Sequence, residues 1–215
     1  MSNDKYVLEI SPQGCGKVFY NHGIITTHAY RMIETPEDIA LVVFTGGEDV
    51  YPELYGEEIG YRTYCSPSRD EYEVKMFEFA RKHNIPCAGI CRGSQFLCVM
   101  AGGKLAQDIT GHAGWDHEIA TKDGRKLTCN SSHHQMQIPP KSAIPLAWAE
   151  PRISKHYMNG NDQEFEVDRE YEVVYYPNIN AVGVQYHPEW RPSNDPCVLF
   201  AREMVAKYLF KEETI

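Results

Sequence analysis

With 215 residues, 42% hydrophobic and 24% charged, the chain is long enough for one α/β domain with a full core, spanning 1–215, and too short for two. A formal net charge of -9 with no cluster of Lys and Arg speaks against a nucleic-acid partner. No apolar run of about 18 residues is there to span a membrane, and the opening MSNDKYVLEI carries no apolar leader. Seven cysteines without a Cys-x-x-Cys pair fit reduced thiols in a cytoplasm.

Short β-rich runs alternate with helical patterns, which predicts a largely parallel sheet with helices on its faces. KYVLEI (5–10) reads as a first strand and ALVVFTGG (40–47) as a buried strand ending in a glycine turn. SRDEYEVKMFEFARKHN (68–84) reads as a helix with Tyr72, Met76, Phe79 and Ala80 on its apolar face and Ser68 as cap. IPCAGI (85–90) is the next strand, and SQFLCVMAGG a helix stopped by Gly102 and Gly103. In the second half, HEIATKDGRKLTCN predicts a hairpin turning at Asp123-Gly124, and KHYMNGNDQEFEV another at Asn159-Gly160. EYEVVYYPNINAVGVQYHPEW predicts two strands joined near Asn178 to Asn180. The last helix starts at Asp195 as N-cap with Pro196 first, and packs through Cys197, Ala201, Met204, Val205 and Tyr208.

The chemistry concentrates at GICRGSQF (89–96), where a strand runs into a helix through Gly-x-Cys-x-Gly. Such a turn is a nucleophile elbow: flanking side chains would collide, so glycine is needed at 89 and 93, and Cys91 is lifted to the carboxyl edge of the sheet. A helix N-terminus favours negative charge there and lowers a thiol's pKa. The structural alternative is an ordinary strand–turn–helix with a buried thiol; the other six cysteines read as plain core or surface residues. A cysteine nucleophile needs a histidine, and that histidine an orienting acid. VGVQYHPEW supplies His187 and Glu189, two apart on an extended segment and so on one face, with Pro188 holding the backbone at a strand end. An oxyanion needs backbone N–H donors. The Arg92 N–H is one, and Gly46-Gly47, following a buried strand, offers a second at Gly47, with a plain turn as the alternative. His112, Asp116, His117, His133 and His134 lie in neighbouring segments, but their spacing matches no known ligand set, and no metal or other cofactor is assigned.

Together these residues resemble the class I glutamine amidotransferase superfamily of the Cys-His-Glu type, from about residue 40 to 190 and in that family's order. Within it the chain is most similar to the γ-glutamyl hydrolase and γ-glutamyl-GABA hydrolase branch, in TGGEDVYPELYGE, SRDEYE, GICRGSQ, AGGKLAQDI and NSSHHQMQ. The resemblance implies a doubly wound, mostly parallel, flavodoxin-like sheet flanked by helices, with an added antiparallel hairpin region. It implies hydrolysis of a small-molecule γ-glutamyl amide, glutamine or a γ-glutamyl amine or peptide, through a thioester on Cys91. Gly46, Gln95 and His133 would line the glutamyl site; a helix-surface amide is the alternative for Gln95. Two other functions stay open: a glutaminase subunit delivering ammonia to a separate synthetase, and a catalytically silent binding module. Self-association into a homo-oligomer also stays open. Ser94 departs from amidotransferase subunits, which more often carry histidine there. A cation at a helix N-terminus is unfavourable alone, so Arg92 is expected to be held by a carboxylate, with the substrate's own as one candidate. SPQGCGKVFYNHGIITTHAYRMIETPED (11–38) is short for the strand–helix–strand unit expected there and matches nothing recognised.

Overall fold

The computed structural model describes residues 5–19 and 24–211. Residues 1–4, read above for a leader, and 20–23 of the short N-terminal segment lie outside the described residues. Along the chain run β1 (Tyr6–Ile10), β2 (Ile24–Thr26), α1 (Tyr30–Glu34), β3 (Ile39–Phe44), α2 (Pro67–Lys82), β4 (Cys87–Ile90) and α3 (Arg92–Met100). Then come β5 (Lys104–Ala106), β6 (Asp108–Ile109), β7 (His117–Thr121), β8 (Lys126–Cys129), β9 (Met136–Ile138) and β10 (Ile144–Ala149). β11 (Tyr157–Met158), β12 (Tyr171–Tyr176), β13 (Ala181–Val184) and α4 (Pro196–Val205) complete the order.

Nine of these strands form one sheet in the order β2-β1-β3-β4-β13-β12-β10-β7-β8. The first five are parallel, and from β13 onward every pairing is antiparallel. The expected doubly wound sheet is present, and its antiparallel strands continue the same sheet. β3 and β4 are buried at every position, as strands covered on both faces are. Alternate residues feed two cores. Val7, Leu41, Val43, Ile90 and Val184 meet Phe200 and Ala201 of α4 on one face. Leu8, Val42, Phe44 and Cys87 meet Phe77 of α2 and Phe96 of α3 on the other.

The Asp123-Gly124 turn joins β7 to β8, with Gly124 at φ +88 and its N–H on the Thr121 carbonyl (3.0 Å). Asn180 takes the left-handed conformation (φ 49) that turns β12 into β13. α4 starts as its sequence predicts: Asp195 caps it, Oδ1 accepting from the Cys197 N–H at 3.0 Å, with Pro196 first. The Asn159-Gly160 hairpin is only a tight turn. β11 pairs with β6, and the returning limb meets it through a single Met158–Glu164 bridge.

α2 departs from its reading in two ways. Ser66, not Ser68, precedes it, because Pro67 takes the first helical position. Its buried face is Asp70, Glu73, Phe77 and Ala80, while Tyr72 is 41% exposed. The carboxylates go inward because a buried arginine lies beneath them. In the N-terminal segment the helix is only the five-residue α1, and Glu9 organises a turn after β1. Its carboxylate accepts from the N–H of Gln13 (3.2 Å), Gly14 (2.9 Å) and Gly16, and Gly16–Val18 forms one 3-10 turn.

Candidate active site

β4 and α3 meet at Cys91, a non-glycine residue at φ 51 and ψ −110. That conformation costs about 1–3 kcal/mol and persists only where surrounding structure enforces it. The enforcement is visible. A side chain at Gly89 would start 2.3 Å from the Gly93 carbonyl oxygen, and one at Gly93 would start 2.1 Å from that of Phe44. The strand and helix backbones touch, and only glycine fits. The Cys91 N–H donates to the Val184 carbonyl (2.8 Å), tying the elbow to the end of β13.

β13 delivers His187 to the same sheet edge. Asn130 clamps its backbone twice: Oδ1 accepts from the His187 N–H (3.2 Å), and Nδ2 donates to its carbonyl (2.9 Å). The expected extended His-Pro-Glu is instead a 3-10 turn over Pro188–Trp190. This curls Glu189 back so that Oε1 lies 2.7 Å from His187 Nδ1. The rest of the ring lies beside Cys91, both flanking Gly46, and Trp190 stacks flat on it (3.7 Å, 3°). Burial works against the imidazolium, but the neighbouring Cys91 and Glu189 outweigh it and raise the His187 pKa from 6.5 to about 9. The structure therefore brings Cys91, His187 and Glu189 together at one sheet edge. Gly46 packs against it: a side chain there would start 3.3 Å from His187 Cε1 and 3.8 Å from Cys91 Cβ.

The Gly46-Gly47 peptide is locked by its carbonyl, which accepts from Arg69 Nη2 (2.8 Å) and Gln13 Nε2 (3.1 Å). In a trans peptide the N–H points opposite to the C=O, so the Gly47 N–H is turned away from both donors. Gly47 sits at φ +134, with Arg69 Nη1 2.2 Å from where a Cβ would stand. Gly47, Cys91, Arg92, Gln95 and His133 line one cavity of about 160 Å³, with Glu48 and Asp49 also on its wall. That is below the roughly 300–1,000 Å³ of sites for drug-sized ligands, and suits one small acyl group.

Gln95 is 3% exposed, which rules out a helix-surface amide; Nε2 donates to the Gln135 carbonyl (3.0 Å) and Gln185 Oε1 (3.3 Å). His133 Nδ1 meets the Gln135 carbonyl at 2.8 Å. Burial, and then the neighbouring His112, push its pKa well below the ordinary value, so the ring is neutral. The carboxylate expected at Arg92 is internal and not a substrate's. Arg92 is 1% exposed, its guanidinium paired with Asp70 and Glu73 of α2 and its Nε on the Glu48 carbonyl (3.2 Å). Of the five residues considered for metal, Asp116 pairs with Arg191 (2.6 Å) and His134 with Asp49 (3.1 Å). The other three converge on Glu172, which the sequence reading passed over, as it did Asn130, Trp190 and Arg69. All seven cysteines are free. Among the described residues no helix is long and apolar enough to cross a membrane.

Solved structures share this architecture. A glutamine amidotransferase from Thermotoga maritima superposes with a TM-score of 0.58 at 19% identity, covering 94% of this chain and 82% of that one. In sequence, a glutamine amidotransferase-like protein of Lactococcus lactis is 44% identical over 70 residues, which is 32% of this chain and 30% of that relative. The carbamoyl phosphate synthase small chain of Maridesulfovibrio salexigens is 28% identical over 120 residues, 55% of this chain and 29% of the relative. The matched stretches thus span about a third or less of these relatives' lengths. The architecture is that of class I glutamine amidotransferase-like proteins. Residues 25–189 match the Peptidase C26 family, to which the chain belongs.

Proposed function

We propose that the protein hydrolyses γ-glutamyl amides through a thioester on Cys91. The observation that carries this reading is the placement of the His187 imidazole, 2.7 Å from Glu189 and beside Cys91, which itself lines a cavity the size of a small acyl group. The Cys91 sulfur attacks the γ-carbonyl carbon, and the N–H groups of Gly47 and Arg92 receive the oxyanion. Donors of this kind are worth about 10²–10³ each in rate. His187 gives its proton to the leaving nitrogen as the C–N bond breaks, and Glu189 holds the ring in register. Water then loses a proton to His187 and attacks the thioester, and the C–S bond breaks to release glutamate. Gln95 and His133 line the space for the glutamyl portion, and Gly46, against Cys91 and His187, borders it.

The test is glutamate release by purified protein from glutamine and from a panel of γ-glutamyl amines and peptides. Cys91→Ala is expected to lower it by at least about 10³-fold, and activity that survives the substitution refutes the mechanism. A second reading, a glutaminase subunit passing ammonia to a separate synthetase, draws support from the likeness to a carbamoyl phosphate synthase small chain. It requires a protein that is inert alone and gains glutaminase activity on adding the synthetase. The hydrolase turns over unaided.

A further inference from the structure

Behind the cleft wall, polar side chains from three parts of the chain meet without solvent. Glu170 and Glu172 lie two apart at the start of β12, so their carboxylates share a face. Both are essentially unexposed, as is His112, and the His133 side chain is 2% exposed. His112 Nδ1 stands 3.7 Å from Glu172 Oε1, and His133 Nε2 stands 3.9 Å from the same oxygen. One donor atom from each of the three residues falls within 4.8 Å of both others.

The opposite ring nitrogens are already committed. His112 Nε2 pairs with Glu170 Oε2 at 3.0 Å, and His133 Nδ1 with the Gln135 carbonyl at 2.8 Å. Glu170 is itself fixed by the N–H groups of Ile153 and Ser154 and the Tyr157 hydroxyl. Ser131 Oγ lies 3.5 Å from His112 Nδ1, but its proton goes to the His112 carbonyl. Lone pairs are thus left facing inward. His133 Nε2 and Glu172 Oε2 are buried without a hydrogen-bond partner.

Imidazole nitrogens and a carboxylate oxygen converging on one point, each imidazole anchored through its other nitrogen by a carboxylate or a carbonyl, is how proteins hold a metal. We propose that His112 Nδ1, His133 Nε2 and the Glu172 carboxylate bind one divalent transition metal of the zinc class. The N,N,O donor set suits such an ion. The 3.7 and 3.9 Å spacings are near the roughly 3.4 Å expected between donors about 2.0–2.1 Å from a tetrahedral centre. His117 Nε2, 3.0 Å from Glu172 Oε1, and Cys129 Sγ, 3.5 Å from that ring, stand alongside as further donors. Since His133 also lines the cleft, the ion braces the wall formed by residues 132–135 against the sheet.

The test uses the Cys91→Ala protein, so that the elbow thiol cannot capture metal. Metal content as purified is measured by mass spectrometry. The protein is then stripped with dipicolinate and titrated with Zn²⁺ by calorimetry and with Co²⁺ by visible absorption. The site predicts one equivalent per chain and an absorption band typical of coordinated Co²⁺. It also predicts loss of stoichiometric uptake in His112→Gln and Glu172→Gln, and about 10–100-fold weaker Zn²⁺ binding in Glu170→Gln. Folded, stripped protein that takes up neither ion at one equivalent overturns the proposal, the pocket then being bridged by water. So does uptake unchanged in both ligand variants. If those variants fail to fold, titration of the stripped parent decides alone.

Discussion

Arg92→Met removes the cation facing two carboxylates in a space where the side chains of Arg92, Asp70 and Glu73 are 1%, 2% and 0% exposed. Breaking a buried ionic group by deleting one partner costs about 3–5 kcal/mol, because the remaining charge has no water to turn to. Glu73 keeps Arg69 (2.9 Å) and the Ser11 hydroxyl (2.8 Å), whereas Asp70 keeps the Tyr51 N–H (3.1 Å). Asp70 is therefore the stranded group. For a chain of this size about 1 kcal/mol moves Tm by about 2–4 °C, so a fall of roughly 6–20 °C is expected. The pH dependence has a definite sign. Burial already raises the Asp70 pKa and Arg92 pulls it back; without Arg92 it rises further. The folded variant then binds a proton that the unfolded chain has released, so its stability falls as pH rises through that pKa and recovers in acid. Thermal melts of both proteins at pH 5 and pH 8 read this out. Asp70→Asn added to Arg92→Met is expected to restore part of the loss. A drop at pH 8 smaller than about 3 °C, or a deficit that widens toward acid, refutes the argument.

Three further outcomes are expected. Gly47→Ala drives a methyl into Arg69 at a positive φ, displaces a proposed oxyanion donor, and lowers kcat by about 10²–10³-fold with a smaller change in KM; an unchanged kcat removes Gly47 from the site. With His187 raised to about 9, kcat/KM falls on the basic side near that pH as the proton for the leaving amine is lost. The same raised pKa adds stability that is complete below about 6.5 and disappears as pH passes through about 9. Glu189→Gln, which deletes one cause of the shift, moves the basic limb to lower pH; a limb that stays put means that it belongs to another group. Asn130→Ala frees both ends of the His187 peptide and lowers kcat about tenfold or more while KM holds, since a small misplacement of a catalytic group is felt in the rate; equal losses in both parameters point to binding instead.

The elbow was readable because its cause is local: two glycines bracket a cysteine where strand and helix collide, and no distant residue is needed to see it. The buried strands β3 and β4 were readable for the same reason, each being a continuous apolar run. The buried face of α2 was not. Helical periodicity placed Met76, Phe79 and Ala80 against the core correctly but also put the exposed Tyr72 there, and it missed Asp70 and Glu73, which turn inward, drawn by an arginine on another helix that a single-helix pattern cannot register. SRDEYE carried the signal only as a family likeness. Asn130 and Arg69 act through main-chain groups of His187 and Gly46, and a pattern of residue types does not reveal such bonds. Glu172 was masked by its surroundings, a carboxylate in a strand otherwise built of Tyr and Val. The shortened N-terminal unit was visible as a length deficit, but the way Glu9 fills the gap with three main-chain N–H groups appears only in three dimensions.

The strand that carries the imidazole occupies the middle of the sheet although it comes late in the chain, slotted between β4 and β12 with the Cys91 amide closing onto its last carbonyl. A polypeptide halted before Ala181 would own its thiol yet lack any acid–base companion for it. Such distant pairings are the slow steps of folding. The proposed chemistry thus waits on a long-range pairing, and in a refolding sample turnover is expected no earlier than the recovery of helical signal.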